Sequence, residues 1–225
     1  MTTSVKWSYS GLSLYQQCPK KYFHLKVAKD FKEPETEALS YGTKVHEAAE
    51  FYIRDGKPIP PEFSYMQEAL DKLKELPGEK LCEHEMGLTR DLSPVGFKDK
   101  DVWWRGIADL VVLDGDRAFL VDYKTGKSSR YADTKQLEIL SLALFKHFPQ
   151  IKKVKAGLLF VVAKDFVKAD YKQETAHEAW VKWLNETMQM EASYENNVWN
   201  AKPNFTCKNY CAVTSCPHNG KGEYR

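Results

Sequence analysis

The chain has 225 residues, 43% of them hydrophobic and 28% charged, with a formal net charge of +2. That length supports a full domain with a sizeable core, and the composition excludes wholesale disorder. A balance this close to neutral does not announce a nucleic-acid binder, so any basic surface has to be local.

Ser10 is placed to cap a first helix running through Leu14 towards Val27, with Pro19 bending it. A basic and aromatic group, Lys20, Lys21, Tyr22, His24 and Lys26, lies along it. A second helix is expected from Gly42 to before Gly56, carrying His46, and a third over 63–76, stopped by Pro77-Gly78. Strands follow over 80–89, 102–113 and 117–123, the last two separated by the hairpin signal Asp114-Gly115-Asp116. A helix over 134–147, a strand over 155–163 and a long helix over 173–195 complete the regular part. Helices, a hairpin, a crossover helix and a further strand describe a mixed α/β domain with helices on both faces of a sheet. The expected division is a domain over 1–198 and a tail over 199–225, rich in Pro, Gly, Asn and Cys, which needs a metal or docking to hold it.

The N-terminus lacks the basic-then-apolar layout of a signal peptide. The longest apolar runs, 139–145 interrupted by Ser141 and 158–163, fall far short of the roughly 20 residues that span a bilayer. No membrane role is expected, and the expected compartment is the cytoplasm, where thiols stay reduced. Three of the five cysteines cluster as Cys207-x3-Cys211-x4-Cys216, and Cys18 lies near the start. In a reducing compartment such a cluster reads first as a metal site. Cys82 stands apart and reads as a small apolar core residue.

The chemistry concentrates in Arg105-Gly-Ile-Ala-Asp109 and Val121-Asp122-Tyr123-Lys124-Thr125-Gly126-Lys127. Strand alternation points Asp122 and Lys124 the same way. A loop at Gly115-Asp116 pairs position 109 with 122, and a loop at Asp114-Gly115 makes them diagonal neighbours. Either register puts Asp109 on their face, with directly opposed Cβ atoms about 4.5–5.5 Å apart. The neighbours expected on that face, Ile107, Val111, Ala118 and Leu120, are all apolar. Two carboxylates there repel and lose hydration, which a divalent cation such as Mg²⁺ relieves. A lysine two residues on can orient a water or stabilise charge on a phosphate. Trp103 and Trp104 face opposite sides of a strand and read as packing residues, as do Trp180 and Trp183 at helical spacing.

At these residues the sequence resembles the PD-(D/E)XK nuclease superfamily, in particular its RecB-like branch, which includes phage-encoded exonucleases and four-cysteine CRISPR adaptation nucleases. The order of motifs carries the resemblance: Ser10-Gly-Leu-Ser-Leu-Tyr-Gln-Gln-Cys18-Pro-Lys-Lys, then Gly42-Thr-Lys-Val-His46-Glu, then Cys82-Glu83-His-Glu85, then the two core motifs, then Gln136-Leu-Glu-Ile-Leu140. Leu140 stands where the family often has tyrosine, and the terminal cysteine spacing departs from the family's usual one. The resemblance implies a restriction-endonuclease-like core with the cysteine-rich segment docked on the N-terminal helix. It implies Mg²⁺ or Mn²⁺ held by Asp109, Asp122, the backbone carbonyl of Tyr123 and His46. Lys124 is then expected to position the attacking water, with Gln136 and Glu83 completing the catalytic set; Glu83 is preferred to Glu85 from the match.

For Cys18, Cys207, Cys211 and Cys216 the resemblance implies a [4Fe-4S] cluster, which needs four thiolates. Zinc on three of them with His218, or no metal at all, are the other two readings. Lys20, Lys21 and Lys127 are the expected DNA contacts, Lys20 and Lys21 being as readily a solvated helix face. The expected activity is that of a Mg²⁺-dependent DNA exonuclease hydrolysing phosphodiesters in recombination, repair or replication, possibly phage-encoded and working beside a protein of those processes. The alternatives are a CRISPR adaptation-type nuclease that trims spacer precursors, or a non-catalytic cluster-bearing DNA-binding module.

Overall fold

The computed structural model describes residues 5–222. The chain divides into two compact units: residues up to 35 together with those from 182 onward, and residues 36–181. Residues 199–222, expected as a tail, belong to the first unit with the N-terminal helices.

In that unit α1 (Tyr9–Gln17) is capped by Ser8, whose Oγ accepts the Gly11 N–H at 3.2 Å, rather than by Ser10. Pro19 breaks the helix rather than bending it. Cys18 before it is extended, as the residue ahead of a proline prefers, and Pro19 opens α2 (Pro19–Tyr22), which runs on as a π-helical turn over Phe23–Ala28. Aromatic rings fill the core here: Trp7 stacks on Trp183 at 6.1 Å, and Trp199 stacks on Tyr22 at 6.1 Å. The Tyr22 and Tyr194 hydroxyls share a hydrogen bond at 2.9 Å. The tail meets the N-terminal helices through Lys20 N–H to Asn200 O at 3.2 Å and Lys202 Nζ to Gln16 O at 2.9 Å.

The larger unit holds a six-stranded mixed sheet in the order β2-β1-β3-β4-β5-β6. Its members are β1 (Glu79–Leu88), β2 (Pro94–Val95), β3 (Trp104–Asp114), β4 (Arg117–Lys124), β5 (Lys153–Phe160) and β6 (Asp165–Lys172). All neighbours run antiparallel except β4 and β5. One side is packed by α3 (Glu37–Asp55) and α4 (Gln67–Glu75), the latter preceded by a 3-10 segment over Pro61–Met66. Val45, Ala49 and Ile53 of α3 and Met66 and Leu70 meet Leu110, Val112, Val121, Tyr123 and Leu159 of the sheet. The other side is packed by α5 (Lys135–His147), buried along nearly its whole length, as the expected helix over 134–147 requires. The final helix, α6 (Ala176–Asn196), ends the regular structure. Among the described residues no helix is long and apolar enough to cross a membrane.

Two differences from the sequence reading matter. Helix α3 begins earlier than Gly42, because Thr36 caps it by accepting the Leu39 N–H at 3.2 Å. Strand β6 was not expected at all. Its Val167, Ala169 and Tyr171 alternate with more exposed positions, and this period-two pattern is interrupted by charge on the open side. Leu70 is wholly buried between α4 and the α3 cluster. Leu70→Ala should therefore cost about 2–5 kcal/mol, measured as a lower urea midpoint with unchanged m-value.

Candidate active site

The hairpin turn uses Gly115-Asp116, since Asp114 pairs with Arg117 and Leu110 with Val121. Continued one step, that register sets position 109 against 122, but the ladder stops short of them. The Asp109 carboxylate takes the place of the next backbone acceptor: its Oδ2 accepts the Tyr123 N–H at 2.7 Å. On its other side β3 pairs Leu110 with Cys82 and Ala108 with His84, passing over Asp109 and Glu83. Glu83 sits there at φ 47°, a left-handed conformation that a non-glycine residue adopts at a cost of about 1–3 kcal/mol.

This level of the sheet reverses which side the residues face. Leu110, Val112 and Cys82 pack on the α3 side. Below them Gly106 lies against α5, where a Cβ would come within 3.0 Å of Leu140 Cδ2 and 2.8 Å of the Trp104 ring, and His84 lies against Phe148. The expected apolar face is corrected accordingly. Val111, Ala118 and Leu120 are fully buried, but Ile107 is 37% exposed, because the reversal at Asp109 turns it to the other side.

Around the break the side chains converge. His46, from α3, places Nε2 3.0 Å from the Tyr123 carbonyl oxygen and Nδ1 3.3 Å from Asp109 Oδ2. Both partners are acceptors, which a doubly protonated ring satisfies. Burial pushes the imidazole down, but the hydrogen bond and charge of Asp109, with Asp122 and Glu83 behind it, outweigh burial and raise it. Ligand atoms of His46, Glu83 and Asp109 lie within 4.8 Å of one another. Burial first, and then the Asp109 charge, push the Glu83 carboxyl up to about 7. Glu85 is exposed two residues along and outside this group.

Asp122, 2% exposed, closes a second arrangement. Its Oδ1 accepts from Gln136 Nε2 at 2.7 Å, Gln136 Oε1 accepts from Lys124 Nζ at 3.1 Å, and Lys124 Nζ lies 2.5 Å from Asp122 Oδ2. That last contact is a close ion pair, and it buries Oδ2 against the Lys124 ammonium. Burial and the Asp109 charge raise the Asp122 carboxyl, and Lys124 opposes them. A crowded set of carboxylates, one imidazole and a main-chain carbonyl fits a hard divalent cation. Thr125, Glu47 and Glu50 border the open depression beside His46 and Glu83, and were not singled out from the sequence. The four-residue step from His46 to Glu50 on one helix was a signal that could have found Glu50.

The smaller unit carries the cysteines. Cys18, Cys207, Cys211 and Cys216 line one cavity of about 300 Å³, with His218 beside them. Cys18 Sγ accepts the Lys202 N–H and Cys207 Sγ the Asn204 N–H, each at 3.4 Å. None of the five cysteines is in a disulfide. Cys82 packs half-buried against the α3 core, where burial pushes its thiol up to about 11. Lys20 and Lys21 line the cysteine cavity, and Lys21 is paired with Glu33 at 2.5 Å. Lys127 is exposed in the loop after β4.

A sheet opened at one level around paired carboxylates, with a lysine two residues after the second, agrees with a nuclease class. The family model of the PD-(D/E)XK nuclease superfamily matches residues 6–217, and the chain belongs to that superfamily. No curated protein matches the sequence. Among solved structures, the fold resembles that of a candidate exonuclease from Eubacterium rectale at TM-score 0.52 and 12% identity, covering 93% of this chain and 88% of that one. The protein SSO0001 aligns at TM-score 0.45 and 12% identity, over 95% of this chain and 87% of its own.

The Glu83 geometry has a pH signature in metal-free protein. With its folded value raised from 4.5 to about 7, Glu83 contributes stability that is present below 4.5 and lost as pH rises through 7. Glu83→Gln should therefore be more stable than wild type at pH 8, by about 1 kcal/mol after discounting for a half-buried site, and gain nothing below 4.5. Urea titrations in chelator at the two ends check this; a difference independent of pH would show that Glu83 is not held among like charges.

Proposed function

We propose that this protein is a divalent-metal-dependent deoxyribonuclease that hydrolyses phosphodiester bonds at DNA ends, in DNA recombination, repair or replication. The observation that carries the reading is the ring of Asp122, Gln136 and Lys124 set beside His46, Glu83 and Asp109. Asp109, Asp122, His46 and the Tyr123 carbonyl are the groups that would hold Mg²⁺ or Mn²⁺. When bound, such a cation neutralises phosphate charge and acidifies water. Gln136 fixes the Asp122 carboxylate by its amide N–H and fixes the Lys124 ammonium by its amide oxygen. Lys124, one-third exposed, then presents its ammonium to a water or a phosphate oxygen at the mouth of the site. His46 must give up its extra proton for a ring nitrogen to act as a ligand, so metal binding and proton release are coupled. The preference for DNA ends follows the RecB-like order of the motifs, and the free thiols agree with a reducing cytoplasm.

For the cysteines we favour a [4Fe-4S] cluster over zinc. Tetrahedral zinc, with Zn–S about 2.3 Å, holds its sulfurs about 3.8 Å apart. Among the described residues no three Cys or His ligand atoms of this cavity come within 4.8 Å of one another. A polynuclear cluster suits a wider set, and the two N–H···S hydrogen bonds suit thiolate ligands.

Loss of labelled DNA should require Mg²⁺ or Mn²⁺ and disappear in Asp122→Ala; Gln136→Ala should lower kcat by about tenfold to a hundredfold with a smaller effect on KM. Unchanged DNA loss in Asp122→Ala would overturn the assignment. Anaerobically purified protein should carry iron and sulfide with visible absorbance that Cys211→Ala removes, whereas one equivalent of zinc would decide for the other metal.

A further inference from the structure

We infer that the uncovered face of β5 and β6 is a track for single-stranded nucleic acid, distinct from the metal-binding centre. This rests on the nuclease reading and adds a second contact for the same substrate. Helices α3 and α4 pack over β1, β3, β4 and the Leu159 end of β5, and leave Lys153 and Lys155 of β5 and the same side of β6 exposed. Side-chain rows across the open face follow from the register. Arg117, Lys153 and Lys172 stand directly opposite one another in three adjacent strands, all exposed. Lys155 stands in the next row against Asp170, Lys168 beside Gly157 in the row after, and Phe166 beside Leu159 in the last.

Like charges placed directly opposite destabilise a sheet, so the fold does not explain this arrangement. Among the described residues Lys153, Lys155 and Lys168 make no ion pair, while Arg117 reaches Asp116 only at 3.8 Å and Lys172 meets Glu174 at 3.2 Å. Asp170 is the acid within the rows. In a chain whose net charge is only +2, any basic surface has to be local, and this row is one.

Single strands are favoured over duplex by the last row. The tip of the Phe166 ring rests on Gly157, where a Cβ would lie 2.2 Å away, and the ring remains 38% exposed. Next to it Tyr65, Leu73, Leu159 and Val161 line an open depression that Lys164, Asp165 and the Lys72–Glu68 ion pair also border. Bases freed from a duplex can stack on such a ring while lysines track the phosphates. Arg117 and Asp122 lie five residues apart on β4, about 17 Å, with their side chains on opposite sides of the sheet, so the track is a contact set apart from the metal-binding centre.

Binding is read by anisotropy of a labelled single strand of about 16 nucleotides, without divalent metal, so that cleavage plays no part. The double variant K155Q/K168Q should weaken binding roughly 25-fold at about 0.1 M salt and reduce the salt slope by roughly 1.4, as expected for two phosphate contacts. Phe166→Leu should weaken single-strand binding with an unchanged slope and leave duplex binding alone. Lys153→Glu should weaken binding while the unfolding midpoint holds or rises, since it relieves the Arg117–Lys153–Lys172 row; this separates lost contact from lost fold. Wild-type affinity and slope in K155Q/K168Q would overturn the inference. That result together with metal-dependent cleavage would leave the nuclease reading standing, whereas a changed slope without any cleavage would fail the nuclease reading alone.

Discussion

The hydrogen bond from the Tyr123 main chain to the Asp109 carboxylate is the constraint on which the site depends. In an ordinary hairpin that N–H would bond a carbonyl of β3 and the ladder would run on. Here a side chain satisfies it, at 2.7 Å, and β3 is free to part from β4 while leaving no buried donor unpaired. The parting exposes the Tyr123 carbonyl to His46 and leaves Asp109 facing Glu83 and Asp122 rather than a neighbouring strand. One interaction therefore both terminates the pairing and gathers the donor set. The positive φ of Glu83 is its counterpart across the sheet, turning β1 at the same level.

The gathered groups are held apart electrostatically as well as sterically. Asp122 is locked by Gln136 and Lys124, so its charge is partly met from α5 and from its own strand. Among the described residues no lysine pairs with Asp109 or Glu83, and the His46 imidazole, raised by the Asp109 hydrogen bond and charge against burial, faces them. The set is thus asymmetric: one carboxylate is bound to a fixed ammonium, and two depend on a group that can release its proton. If His46 ligated a divalent cation it would have to release that proton, whereas Lys124 is held by Asp122 and Gln136.

Much of this was legible in the sequence because it obeyed simple periods. The Asp-Gly-Asp turn left two registers, both of which put Asp109 on the face of Asp122, and strand alternation put Asp122 with Lys124. Ordered motifs drew in His46, Glu83 and Gln136, which do converge. The face reversal at Asp109 was not legible, since it needs a left-handed glutamate that alternation does not foresee, and so Ile107 was expected in the wrong place. Strand β6 was missed for a related reason: one of its faces is charged, so only Val167, Ala169 and Tyr171 carried the signal. Pro19 was read as a bend although its effect on the preceding residue makes a break, and that break is what sets Cys18 in extended backbone facing the tail.

The missed strand also changes how charge in this protein should be weighed. Composition alone gives nearly balanced totals, 33 basic against 31 acidic residues. Balance of totals says nothing about segregation, and three acids are gathered inward: Glu83 and Asp109 midway along β1 and β3, and Asp122 near the end of β4. The lysines of β5 and β6 remain outward with few acids among them. At the far end of β4 the same sheet thus presents the opposite sign, in a row where the fold would do better with neutral residues. A negative centre needs a cation before it can accept a phosphate; a cationic row about 17 Å along the strand and on the other side of the sheet needs nothing. Long-range attraction of a polyanion would therefore act first on β5 and β6, and the local repulsion kept there is the stability given up to retain it.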